Sequence, residues 1–177
     1  MKKLVVLALS IFAAVTVSNA QVCALKSNVL TLINGTVNMA AEFSFAPQWT
    51  IDLSGTAVVK DFFDSQVDLN GWNAIGEVRY YLCKAFNGHH FGAYAQANRF
   101  GWGSAPIIGV EGMHHDVRGA GLGLSYGYYF KLNTYWGIDT NSGAAAYGAY
   151  SNEIKSAGKV LGWKCIPRAQ VSVCYKF

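Results

Sequence analysis

The chain has 177 residues, of which 52% are hydrophobic, 14% aromatic and only 14% charged, with 19 glycines and 3 prolines. That mixture favours strands over helices, which excludes a helical bundle, and the length suits one domain. The formal charge of +4 comes from scattered lysines and arginines, so the basic footprint of a nucleic-acid binder is missing.

Lys2 and Lys3, the apolar run Leu4 to Val17 and the small-residue site Ser18-Asn19-Ala20 predict a secretory signal peptide over 1–20 and a mature domain over 21–177. Val22 stands where a small residue is expected before an acylated cysteine, which disfavours lipidation of Cys23. No stretch reaches the roughly 18 to 20 apolar residues of a spanning helix, so membrane insertion has to use strands. Eight segments alternate apolar with polar or small residues: 23–32, 37–45, 49–59, 71–83, 90–100, 117–129, 135–145 and 164–177. Their lengths lie near the roughly 9 to 11 residues of a tilted spanning strand. Short connections, Ala46 to Gln48, Lys84 to His89 and Lys131 to Thr134, alternate with long ones near 60–70, 101–116 and 146–163. That rhythm predicts an all-β, eight-stranded antiparallel up-and-down transmembrane β-barrel in the outer membrane, with the short turns periplasmic. The first outer connection is the exception, because Asn34-Gly35 favours a tight primed turn.

Side-chain parity separates two faces. Val37, Met39, Ala41, Phe43 and Phe45 alternate with Asn38, Ala40, Glu42 and Ser44, and the sixth segment sets Leu122, Leu124, Tyr126 and Tyr128 against Gly121, Gly123, Ser125 and Gly127. The closing strand carries Val171, Val173, Tyr175 and Phe177 on its lipid face, and Arg168, Gln170 and Ser172 on the other. Aromatic residues predicted to face outward gather at one depth: Phe43, Phe45, Trp49, Tyr80, Phe91, Tyr126, Tyr128, Trp136, Tyr175 and Phe177, the pattern of an interfacial girdle. A sparser outer ring falls on Trp72, Phe100, Trp102 and Trp163. A soluble lipocalin-type carrier also shows period-two strands, with its apolar face turned inward around a ligand. The low charge argues against it.

The inward face collects Lys26, Glu42, Asp52, Glu77, Arg79, Asp139 and Arg168. Buried charges must pair, and eight strands leave room mainly for side chains, so a lumen charge network acting as a plug is favoured over a narrow pore. Tyr81, Tyr94 and Gln96 are expected to pack and hydrogen-bond on that wall, and His89 and His90 to serve a polar turn. Ser104, Glu111 and His115 form a lipid-deacylase triad only if the third outer loop is folded to suit, so no catalytic residue is assigned. His114 and His115 are adjacent and point apart on an extended chain, and Cys23, Cys83, Cys165 and Cys174 lack zinc spacing, so neither metal nor cofactor is expected. Cys174 is expected to pair with Cys23 or Cys83 near the periplasmic rim.

The segments Ala24 to Asn28, Glu77 to Cys83, Phe86 to Gly92 and Gly121 to Tyr128 resemble a family of small exported proteins of Bacteroidota-type bacteria whose function is unknown. Some members are encoded near fimbrial or other surface-structure genes. The resemblance spans nearly the whole mature chain and implies envelope or surface work, with no catalytic residue to carry over. Members often hold a cysteine pair in the fourth outer loop, where this chain keeps Cys165 alone. The partners implied are outer-membrane lipid, the barrel-assembly machinery during biogenesis and a surface or fimbrial protein.

Overall fold

The computed structural model describes residues 22–33, 36–58, 69–102, 115–151 and 163–177. The predicted signal peptide, Asn34-Gly35 and the central parts of the three long connections lie outside them. The described chain forms β1 (Cys23–Asn28), α1 (Val29–Ile33), β2 (Thr36–Ala46), β3 (Trp49–Val58), β4 (Leu69–Tyr81), β5 (Gly88–Trp102), β6 (His115–Lys131), β7 (Trp136–Ser151) and β8 (Trp163–Lys176). The strands close into one antiparallel barrel in sequence order. Closure runs through β1 and β8, with Leu25 opposite Tyr175 and Ser27 opposite Val173. Phe177 N–H completes the seam by donating to the Cys23 carbonyl at 2.9 Å.

The alternation that builds the strands also sorts them. Inward positions such as Asn38, Glu42, Thr50, Glu77 and Ser172 are buried, whereas Leu122 and Leu124 are 69% and 72% exposed on the outside. This is the reverse of a lipocalin, whose apolar face would turn inward, so the carrier arrangement is not the one formed. The expected girdle surrounds the short-turn end, where rings meet in series: Trp49 with Tyr80 at 5.0 Å, Phe91 with Tyr126 at 5.2 Å and Trp136 with Tyr175 at 5.0 Å. Of the sparser outer ring, Trp72 is exposed, while the side chains of Phe100, Trp102 and Trp163 lie outside the described set.

Three expectations need correction. First, β1 ends at Asn28 and the chain turns helical, so no two-residue hairpin joins it to β2. Asn28 causes the change by acting as an N-cap: its Oδ1 accepts the Leu30 N–H at 3.1 Å while Thr31 Oγ1 donates to its carbonyl at 2.8 Å. Second, β5, β6 and β7 outrun the predicted bounds, with β7 carrying Tyr147 into the wall as a buried residue. Each added residue keeps its ladder partner, for example Tyr147 opposite Gly121, so pairing continues beyond the length that spanning alone requires. Third, all four cysteines are free. Cys174 is buried on the inner face, whereas Cys83 is exposed in the turn after β4 and Cys23 sits at an outward position of β1, so their side chains leave opposite sides of the wall.

The short-turn end is closed by the hairpin between β4 and β5. Phe86 adopts φ 62°, a left-handed conformation that costs a non-glycine residue about 1–2 kcal/mol, and Gly88 follows at φ 76°. The turn returns the Phe86 ring beneath the barrel, where it packs with Ala24, Tyr81, Tyr129 and Cys174 as a small apolar floor. Backbone bonds hold the hairpin there, with Ala85 N–H donating to Pro47 and Tyr81 N–H donating to Gln48, both at 2.8 Å. Burial of that ring offsets the backbone cost.

Candidate functional site

Above the apolar floor the lumen is filled by charge. Register brings three carboxylates side by side on adjacent strands, with Glu42 of β2 opposite Asp52 of β3 and Asp52 opposite Glu77 of β4. Like charges directly opposed across a sheet repel, so cations must stand over the row. Lys26 of β1 supplies one, pairing with Glu42 and reaching Asp52 at 3.0 Å and Asp139 at 2.9 Å. Arg79 supplies the second, with Nη1 donating to Asp139 at 2.7 Å and to Glu42 at 3.2 Å, and Nη2 donating to Glu77 at 3.2 Å.

The third cation, Arg168 of β8, donates to Glu77 at 3.0 Å and to Gln170 at 2.6 Å, and its guanidinium lies 4.7 Å from the centre of the Tyr94 ring. Neutral donors complete the carboxylate shells. Thr50 and Tyr81 hydroxyls donate to Glu42 at 2.5 and 2.9 Å, and Ser125 and Asn141 donate to Glu77 at 2.5 and 3.0 Å. The seven residues singled out from sequence, Lys26, Glu42, Asp52, Glu77, Arg79, Asp139 and Arg168, therefore meet in one network contributed by β1, β2, β3, β4, β7 and β8.

His90 belongs to this network too, which corrects its assignment to a turn. It is fully buried, with Nε2 2.9 Å from Asp139 Oδ1 and its ring 4.9 Å from that of Tyr81. The signal was present, because His90 opens the fifth predicted segment and shares its parity with Tyr94 and Gln96 on the inner face. Four carboxylates thus face Lys26, Arg79, Arg168 and an imidazole. His89 keeps a rim position, 2.6 Å from the Tyr126 hydroxyl. No group of three or more His, Cys, Asp or Glu side chains placed to hold a metal ion occurs among the described residues. His115 opens β6, whereas Ser104 and Glu111 lie outside the described residues, so a triad of these three has no described geometry.

Room for the large groups comes from the glycines of β6. Gly123 lies opposite Tyr94 and Gly127 opposite His90, and a Cβ added at either would strike the partner ring. A small residue facing a ring at each level lets a narrow barrel hold full-sized side chains without opening a channel.

The fold and its interior together define a closed, eight-stranded β-barrel with an apolar exterior and a lumen packed with paired charges. The chain belongs to the DUF3575 family of proteins of unknown function, whose family model matches residues 5–165. No curated protein sequence matches it. Among solved structures it is similar to a major outer membrane protein from Thermus thermophilus, at 9% identity and a TM-score of 0.50, covering 90% of this chain and all of that one. It is also similar to Neisserial surface protein A (NspA), at 16% identity and a TM-score of 0.44, covering 88% of this chain and 93% of the other.

Proposed function

We propose that the chain is a small outer-membrane β-barrel that works through its surface, as a structural or surface-interaction element, with a lumen that serves as a plug. The observation that carries this reading is the inverted polarity of the wall: paired charges fill the inside, and leucines, valines and an aromatic girdle occupy the outside. Such an exterior suits lipid, since in water it would expose an apolar band far larger than soluble monomers tolerate. The outer-membrane neighbour in fold supports the same placement. The short-turn end is then periplasmic, and the opposite end of the barrel faces outward. The partner class is a surface or fimbrial protein engaged by the outer loops predicted near 101–116 and 146–163, as the family resemblance suggests, and insertion uses the barrel-assembly machinery acting on β8.

The reading is tested by fractionation and electrophoresis. The protein should sediment with outer membranes and migrate differently when heated, as a detergent-resistant barrel does. Recovery in the soluble periplasmic fraction, with mobility independent of heating, overturns it. Cross-linking in intact cells then tests the surface role, which fails if nothing but lipid is recovered.

A further inference from the structure

Glu42, Asp52, Glu77 and Asp139, the carboxylates whose side chains are described, are all buried in the lumen. Charge described on the outside of the barrel is therefore positive. Lys84 and Lys131 are exposed at the short-turn end, and Arg99 and Arg118 are exposed far up β5 and β6. The two arginines stand directly opposite each other across the β5–β6 ladder, and Trp72 of β4 lies opposite Arg99. An open groove runs among them, lined by Trp72, Arg99, Arg118 and Ala120.

Depth says what such a groove meets. Arg99 lies eight residues along β5 from Phe91, and Arg118 eight residues along β6 from Tyr126, both girdle aromatics. At about 3.3 Å per residue on strands tilted about 40°, that is about 20 Å along the barrel axis. The outward residues between are apolar: Ala93, Ala95 and Ala97 on one strand, Ala120, Leu122 and Leu124 on the other. An apolar band of this height, roughly that of outer-membrane barrels, puts the arginines at the opposite headgroup layer.

We propose that Trp72, Arg99 and Arg118 form a binding site for the phosphate of an anionic lipid in the outer leaflet. Two guanidiniums opposed on neighbouring strands offer paired, bidentate contacts to a single phosphate seated between them. Each guanidinium carries five donors, enough to keep an existing partner and take a phosphate oxygen. Trp72, 48% exposed, is the residue type that settles at headgroup depth beside such a site. The lipid's chains then lie on the alanine and leucine surface below. This site rests on the outer-membrane placement proposed above.

The experiment reconstitutes the full chain in phosphatidylcholine vesicles containing phosphatidic acid, extracts it with mild detergent and measures the co-purified lipids. The wild-type barrel should retain phosphatidic acid over phosphatidylcholine. R99Q/R118Q should retain about tenfold less, whereas K84Q/K131Q should retain as much as wild type. Inorganic phosphate at matching concentration should not displace the lipid. Equal retention by R99Q/R118Q, equal loss in K84Q/K131Q, or displacement by inorganic phosphate overturns the site. Heat-dependent mobility is read on every sample. A chain that never acquires it sinks the membrane placement, whereas a folded barrel indifferent to the arginine substitutions sinks this inference alone.

Discussion

Lys26 is fully buried at its side chain and stands against Glu42, Asp52 and Asp139. Replacing it by methionine keeps the volume and leaves those carboxylates with one cation fewer, and a broken buried ion pair costs about 3–5 kcal/mol. Urea unfolding of K26M in micelles should show a loss of that order. Removing Asp139 as well should restore part of it, because K26M/D139L deletes one charge of each sign. A double variant as unstable as the sum of the two single ones contradicts the network. Phe86 offers a second test at this scale. Phe86→Ala should destabilise by about 3–5 kcal/mol through loss of ring burial. It should not open a conducting path, because Lys26, Arg79 and His90 still fill the layer above. Stepwise current through F86A in planar bilayers contradicts that stacking.

At the scale of elements, the β1–β2 connection depends on the Asn28 side chain, which caps α1 through the Leu30 N–H. Asn28→Ala should cost about 1 kcal/mol, measured against Asn28→Asp, which keeps an accepting oxygen and should cost less. The β6 strand depends on glycine for a different reason. A Cβ on Gly127 would meet both the His90 ring and the Thr140 carbonyl oxygen, the latter belonging to rigid backbone. Gly127→Ala should therefore destabilise the barrel and displace His90 from Asp139, seen as a changed imidazole resonance in solution NMR. Gly55→Ala, where an added Cβ meets nothing within 4 Å, is the control that should leave both unchanged.

For the whole molecule, a lumen filled from the Phe86 floor through the Glu77–Arg168 pair should conduct no ions. Reconstituted wild-type barrel in planar bilayers should show no steady conductance above background, and discrete open channels in pure, folded protein contradict the plug. Much of this architecture was legible beforehand: strand positions, the two faces and the seven charged residues follow from parity, and parity is local. The first connection was not legible, because Val29 to Leu32 reads as strand and the capping bonds of Asn28 turn the chain helical there. His90 was missed because it opens the predicted fifth segment beside a turn, and its meeting with Asp139 depends on closure of the barrel across strands rather than on parity. The cysteine pairing failed because nearness at the rim says nothing about which side of the wall each thiol leaves.

By itself, the sequence determined the period-two segments and hence which side chains share a face, since each residue's direction along a strand depends only on its neighbours in the chain. The tertiary structure alone decided which inward groups meet: the carboxylate row of Glu42, Asp52 and Glu77, the cations standing over it, the rings seated against Gly123 and Gly127, and the Phe86 floor. Those meetings depend on inter-strand register and on closure between β1 and β8. Both are set by the packing of the whole ring of strands, and no single strand encodes either.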